Sequence, residues 1–336
     1  MKKKILLIAT GGTIASRYAT DGLAPKITGE ELMQYVRPAE SFCKVDVLQP
    51  FSLDSTNIGP AHWLRLAGLI EENYSKYDGF VICHGTDTMA YTAAALSYLI
   101  ENNRRPIVIT GAQKPIDLEI TDARMNLLDS LRVACDDMTC RVSIVFGGAV
   151  IAGTRAKKER SKSYNAFSSI NYPELARVYD ERILHYIQQK LPAYEDVRFY
   201  HKLNPRVLLL KLIPGIDAGA LTHIADAYDA IIIESFGLGG VPDYGDAGME
   251  GLIASWCDAG KEVIMSTQVA QEGSNMGVYQ VGRSIKENYP VLEAYDMTLE
   301  ATVTKTMWLL GRGLTQAEFA REFGRTVNYD VLLSGR

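Results

Sequence analysis

Lys4-Ile5-Leu6-Leu7-Ile8-Ala9-Thr10 runs directly into Gly11-Gly12-Thr13, and Gly79-Phe80-Val81-Ile82-Cys83 runs into His84-Gly85-Thr86-Asp87-Thr88. Each stretch opens as a short apolar run, the pattern of a strand buried on both faces. Each then meets glycine, which lets a strand turn sharply. In a parallel sheet the loops at the carboxyl ends of strands line the ligand crevice. If the two strands are neighbours, the hydroxyls of Thr13 and Thr86 and the Asp87 carboxylate meet there.

The rest of the chain repeats this alternation. Residues 44–50 alternate as a strand, 51–59 form a polar turn, and 60–74 read as a helix with Pro60 in its first turn. Residues 89–100 read as a helix capped by Asp87 or Thr88. Residues 105–110 form a strand ending in Gly111-Ala112-Gln113, and 121–137 carry apolar residues at helical spacing. Residues 141–146 form a strand that Gly147-Gly148 turns into 149–152. Thr28 with Glu31 predicts a capping box. Residues 14–26 hold the turn signals Asp21-Gly22 and Pro25 and no sustained period, which predicts a mobile loop. From 165 to 204 the pattern loosens, and a second α/β set starts with strands at 207–213, 230–235 and 262–266, closing in a helix at 314–323. The expectation is an α/β fold. A larger N-terminal domain (1–190) carries a mostly parallel sheet flanked by helices, and a linker (191–206) leads to a smaller C-terminal α/β domain (207–336).

At 336 residues the chain exceeds the size of one ordinary core, in keeping with two domains. The net charge of −5 argues against nucleic acid or an anionic membrane surface as the main partner, since both demand a basic face. The apolar run after Met1-Lys2-Lys3-Lys4 is short of the ~7–15 residues of a secretory signal core, and no run approaches the ~20 needed to span a bilayer. A cytoplasmic protein is expected. Five scattered cysteines without C-x-x-C and five histidines without ligand spacing predict neither a disulfide framework nor a metal site. Cys83 reads as an apolar filler and His84 as a hydrogen-bonded turn residue.

Nucleotide motifs are missing. Gly11-Gly12-Thr13-Ile14-Ala15-Ser16 has the wrong spacing for G-x-G-x-x-G, and Gly237-Leu238-Gly239 meets Pro242 where the last glycine belongs. No G-x-S-x-G elbow occurs. The loops offer hydroxyls with a carboxylate instead: Thr13, Ser55 with Thr56, and Thr86 with Asp87. A threonine hydroxyl is a weak nucleophile until a base takes its proton. A lysine can be that base where burial or nearby charge lowers its pKa, and the cation-rich stretch 155–160 is such a neighbourhood. On these residues alone Thr13 reads equally as a nucleophile or as a structural cap.

Thr10-Gly11-Gly12-Thr13-Ile14 and His84-Gly85-Thr86-Asp87-Thr88-Met89 resemble the two signature motifs of the bacterial-type L-asparaginase family. Asp54-Ser55-Thr56 is similar to its first substrate loop. Thr110-Gly111-Ala112-Gln113, the pair Asp122 and Asn126, and Asp296-Met297-Thr298-Leu299-Glu300-Ala301 with Thr304-Lys305 extend the likeness over nearly the whole chain. The missing signal aligns it with the cytoplasmic, type I branch. The resemblance implies hydrolysis of L-asparagine to L-aspartate and ammonia through an acyl ester on Thr13, with glutamine a poorer substrate and no cofactor or metal. Thr86, Asp87 and Lys158 would form a proton-transfer triad. Ser55 would hold the substrate carboxylate and Asp87 its ammonium, with Asp54, Thr56 and Ala112 also lining the substrate. A homotetramer or homodimer is implied as well. Two positions depart from the family. Leu23 stands where relatives often place a loop tyrosine, leaving Tyr18 as the candidate, and Gly240 stands where secreted members place an asparagine. Two other readings are an ammonia-releasing subunit of a tRNA-dependent amidotransferase and a non-catalytic amino-acid sensor. The start of the first strand at residue 4 speaks against the first, and the joint presence of Thr13, Thr86 and Lys158 against the second.

Overall fold

The computed structural model describes residues 2–19, 22–189, 196–242 and 248–333. The chain divides into two compact units, Met1–His201 and Lys202–Arg336.

The first unit begins with β1 (Lys3–Ala9), a hairpin of β2 (Ser16–Ala19) and β3 (Gly22–Pro25), α1 (Gly29–Gln34), β4 (Cys43–Leu48) and α2 (Pro60–Asn73). β5 (Gly79–Cys83), α3 (Met89–Leu99), the short β6 (Ile100–Glu101), β7 (Ile107–Thr110), α4 (Ala123–Ala134), β8 (Val142–Phe146) and β9 (Ala149–Ala152) follow. Then come β10 (Ala156–Lys158), β11 (Phe167–Ser169), β12 (Ala176–Tyr179), β13 (Arg182–His185) and β14 (Arg198–Phe199). One sheet runs β13-β12-β9-β8-β7-β5-β1-β4. β4, β1, β5, β7 and β8 are mutually parallel, whereas β9, β12 and β13 join antiparallel. β5, β7, β8 and β9 are buried at every residue, as strands covered on both faces must be.

The order fixes where a ligand can bind. From β1 the chain goes to β4 on one side, and then to β5, β7 and β8 on the other. The direction of winding therefore reverses between β1 and β5, and the crevice of an open α/β sheet lies at such a switch point. Ala9 pairs with Cys83, and Cys83 with Thr110, so three strands end at one level. The two glycine–threonine turns leave the sheet side by side.

Residues 14–26 are the clearest correction. In place of an aperiodic loop, β2 and β3 pair as Ser16↔Pro25 through Ala19↔Gly22. Gly22 and Pro25, taken as loop signals, bound the second strand of a hairpin, and four-residue strands are too short to declare a period. Short strands also appear at 167–185, where the sequence has no rhythm. The Thr28–Glu31 capping box is present in both halves. Thr88 stands at the N-cap of α3, but its hydroxyl makes no cap bond and donates to Ser55 O at 2.7 Å.

The second unit holds a parallel sheet of β15 (Val207–Lys211), β16 (Ala230–Ser235), β17 (Glu262–Thr267) and β18 (Leu292–Glu293). Among the described residues it is accompanied by the α-helices α5 (Met249–Asp258), α6 (Gln280–Asn288), α7 (Leu299–Gly311) and α8 (Gln316–Gly324). Its core gathers Ile231, Ile233, Ile253, Trp256, Val263, Met265 and Ile285. α7 begins within the stretch 296–305 and is capped by Thr298, whose side chain accepts from Ala301 N. Among the described residues no helix is long and apolar enough to cross a membrane.

Candidate active site

The site is built on backbone contacts that only glycine allows. Gly11 and Gly12 have φ of 102° and 75°. A Cβ on Gly12 would lie 2.3 Å from Gly85 N, and one on Gly11 would lie 2.5 Å from the Leu53 backbone. A Cβ on Gly85 would strike Ser55 Oγ at 2.7 Å. Three turns (11–13, 53–55 and 84–86) therefore touch main chain to main chain. Hydrogen bonds lock them: Gly12 N donates to Leu53 O (2.9 Å), Leu53 N to Thr10 O (2.9 Å) and Thr10 N to Cys83 O (3.0 Å).

Within this frame the threonines separate by what their hydroxyls do. Thr10 Oγ1 donates to Cys83 O and Thr110 Oγ1 to Val145 O, both at 2.8 Å, and both serve the scaffold. Thr86 is buried and its Oγ1 accepts from Lys158 Nζ at 2.7 Å. Lys158 also donates to Asp87 Oδ1 at 2.7 Å. Thr13 opens a 3-10 turn (Thr13–Ala15) whose N-cap is Gly12, with no side-chain cap bond. It is thus not the cap that its place after two glycines suggested. Among the described residues neither Thr13 Oγ1 nor Ser55 Oγ has a hydrogen-bond partner. The hydroxyls of Thr13, Ser55 and Thr86 and the Asp87 carboxylate sit on adjoining turns, and Lys158 reaches them from β10.

Two further layers hold them. His84 Nδ1 lies 2.7 Å from Gly85 O, its Nε2 lies 2.9 Å from Thr92 Oγ1, and Trp63 Nε1 donates to Thr92 Oγ1 at 3.0 Å. One tautomer satisfies all three: Nδ1–H donates to Gly85, and Nε2 accepts from Thr92. Burial holds His84 down to about 4, so the ring is neutral at pH 7. The second layer is Asp122 at the start of α4. It accepts the N–H groups of Gln113 (2.9 Å) and Lys114 (3.1 Å). Asn126, one turn on, donates to Gly111 O (3.0 Å) and accepts from Gly147 N (2.9 Å). Gln113 Oε1 is thereby brought to 3.5 Å from Thr86 Oγ1. Cys83, under the site, is buried and pushed up to about 12, as an inert filler should be.

The other sequence candidates fall as follows. Asp54 and Thr56 are exposed and bind each other: Asp54 Oδ1 accepts from both the N–H (2.9 Å) and the hydroxyl (2.8 Å) of Thr56. Ala112 is buried in the turn after β7. Tyr18 pairs with Leu23 in the hairpin backbone, and the side chains of both lie outside the described residues. The cations of 155–160 do not converge. Arg155 is buried with its guanidinium 5.8 Å from the Tyr172 ring, and Arg160 donates to Asn165 O. Lys158 alone reaches the threonine turns from that stretch. Sequence reasoning missed Trp63 and Thr92, which lie on two different helices and carry no motif.

At the switch point of this α/β sheet, a threonine hydroxyl without a partner among the described residues, a second threonine bonded to lysine and a carboxylate lie on neighbouring segments. Residues 4–191 match the family described as Asparaginase, N-terminal, and residues 206–323 the Glutaminase/Asparaginase C-terminal domain. The chain belongs to the asparaginase family of amidohydrolases. It is 36% identical to the L-asparaginase of Thermococcus kodakarensis over 329 residues, covering 98% of this chain and 99% of that protein. The solved structure of the thermostable L-asparaginase from that organism superposes with a TM-score of 0.92 at 34% identity, covering 98% of this chain and 99% of the other. The chain is also 33% identical to L-asparaginase 1 of Escherichia coli K12, over 93% of each. With a glutamyl-tRNA(Gln) amidotransferase subunit of Pyrococcus abyssi it shares 32% identity, over 92% of this chain and 72% of that one.

Proposed function

We propose that this enzyme hydrolyses the side-chain amide of L-asparagine to L-aspartate and ammonia through an acyl-enzyme on Thr13. The observation that carries the reading is the Lys158 ammonium bridging Thr86 Oγ1 and Asp87 Oδ1, both at 2.7 Å, on the turn that touches Gly12. Because Lys158 donates to Thr86, the threonine proton is left to point elsewhere, toward Gln113 or a reacting group. An α-ammonium arriving at Asp87 competes with Lys158 for one carboxylate, which favours passage of a proton between Lys158 and the site through Thr86. Ser55 Oγ, lying against Gly85, takes the substrate carboxylate, and Asp54, Thr56 and Ala112 complete the pocket wall. Thr13 attacks the amide carbon, its hydroxyl proton passing through Thr86 and Lys158 to the departing nitrogen so that ammonia leaves; water then cleaves the β-aspartyl ester and returns a proton to Thr13. No cofactor enters this scheme. Tyr18 is the candidate for orienting Thr13 from the hairpin. Self-association as a homodimer or homotetramer and a cytoplasmic location belong to the same reading and rest on the family likeness.

Steady-state ammonia release from L-asparagine, L-glutamine and D-asparagine across concentration tests it. Glutamine, one methylene longer, should give a kcat/KM lower by at least ~10-fold, the usual scale for one methylene in a fitted pocket. No ammonia from L-asparagine would sink the proposal. A second reading, supply of ammonia to a tRNA-dependent amidotransferase, is favoured by the likeness to the Pyrococcus abyssi protein. It predicts copurification with a protein and tRNA, and an asparagine turnover that depends on them.

A further inference from the structure

We infer that Trp63, Thr92 and His84 are positioning residues: a one-way chain of hydrogen bonds, from the Trp63 indole to the Gly85 carbonyl, sets the Gly85–Thr86 peptide so that the Thr86 N–H faces the crevice. The use made of that N–H rests on the proposed reaction.

The direction of the chain follows from what each group can do. An indole N–H only donates, so Thr92 Oγ1 accepts from Trp63 Nε1 at 3.0 Å. The Thr92 hydroxyl proton then goes to His84 Nε2, 2.9 Å away. That nitrogen is therefore bare, and the ring proton sits on Nδ1, which donates to Gly85 O at 2.7 Å. Burial keeps the ring from taking a second proton, so the chain does not reverse at pH 7. Trp63 is 4% exposed and Thr92 and His84 not at all, which leaves no opening for water to replace a link.

The turn needs this outside hold because of its glycine. A Cβ at residue 85 would meet Ser55 Oγ at 2.7 Å, so only glycine fits there. Glycine leaves its peptide the freest of any residue to rotate. The hydrogen bond from His84 fixes the plane. The peptide is trans, so its C=O and N–H point to opposite sides. With Gly85 O drawn onto the buried ring, the Thr86 N–H is turned away from it. Among the described residues that N–H has no hydrogen-bond partner, although Thr86 is only 5% exposed. Unpaired N–H groups are rare in buried backbone, and one on a site turn is a donor kept for a ligand. Under the proposed reaction the amide oxygen becomes an oxyanion, and the Thr86 N–H is aimed to receive it. The packing of α2 on α3 thus reaches the chemistry through one carbonyl.

The experiment cuts the chain at its middle. Thr92→Val removes the hydroxyl at nearly constant volume. Its kcat for L-asparagine should fall by ~10–100-fold, the scale of a misplaced transition-state group, while KM stays within ~3-fold. Thr92→Ser keeps the hydroxyl and should recover most of the loss. Trp63→Phe removes only the first donor and should lose kcat in smaller measure. A chain that merely packs α2 on α3 would lower the melting temperature and leave kcat per folded molecule unchanged in these variants, and that result would overturn the inference. NMR of the full chain labelled with 15N-histidine supplies a readout that needs no substrate. The His84 signals, assigned by their loss in His84→Gln, should show a neutral ring protonated on Nδ1 at pH 7. A proton on Nε2 would overturn the inference whatever the substrate. No ammonia from the unaltered enzyme would sink the asparagine reading instead, and the spectrum would then still decide the inference.

Discussion

The ion pairs Lys158–Asp87 and Lys305–Asp330 have the same 2.7 Å separation and opposite surroundings. Lys158–Asp87 lies in the first unit with the Asp87 side chain 58% exposed, and Lys158 shares itself with a threonine hydroxyl. Lys305–Asp330 lies in the second unit with both side chains fully buried. There Lys305 also donates to Arg325 O, and Asp330 Oδ1 accepts from Val327 N, so α7 is stitched to the segment after α8. Burial lowers the Lys305 pKa, and the facing Asp330 acts against that shift. Distance alone does not say what an ion pair is for. Under the proposed function the exposed pair offers a carboxylate to a ligand and a hydroxyl to pass a proton, whereas the buried pair is a structural joint.

Breaking each pair should therefore have a different consequence. Lys158→Met should lower asparagine turnover by ~10²–10⁴-fold, the range for a lost acid–base group, while the melting temperature stays within ~2 °C because the remaining carboxylate is hydrated. A melting scan beside the ammonia assay checks both halves. Lys305→Met should behave in reverse. It strands the buried Asp330 charge, for a loss of ~3–5 kcal/mol of stability by denaturant titration, and the protein that stays folded should keep its turnover per molecule. Replacing both Lys305 and Asp330 by apolar residues should recover at least half of that loss.

His84 sharpens the contrast, because it is a buried group kept neutral. Its folded value is about 4 against an unfolded value near 6.5, so between those limits the unfolded chain binds the extra proton. The stabilisation from a neutral His84 is complete above ~6.5 and is lost as pH falls toward 4, on the order of 3 kcal/mol in all. The denaturation midpoint against pH should show this slope, and His84→Gln should flatten it.

Much of this was legible in the sequence where one local pattern carries both shape and chemistry. The strands 3–9 and 79–83 announce themselves by apolar runs, and the glycines that end them are required by the backbone contact of Gly12 with Gly85. The hairpin at 16–25 was not legible, since four-residue strands hold too few side chains to show alternation. The Trp63–Thr92–His84 relay was hidden for another reason: its members come from α2, α3 and a turn, and no spacing links them. The family resemblance had already singled out Lys158 rather than Lys157, and it is Lys158, paired with Phe167 across β10 and β11, whose Nζ reaches Thr86 and Asp87. The unequal standing of the threonines likewise needed the hydrogen bonds: Thr10 and Thr110 give their protons to carbonyls, and Thr13 does not.

That free hydroxyl is where the proposed chemistry begins. Steady-state ammonia release from L-asparagine should fall by at least ~100-fold in Thr13→Ala, as expected when covalent catalysis is lost, with the fold intact by circular dichroism. Turnover equal to that of the unaltered enzyme would contradict a nucleophilic Thr13 outright.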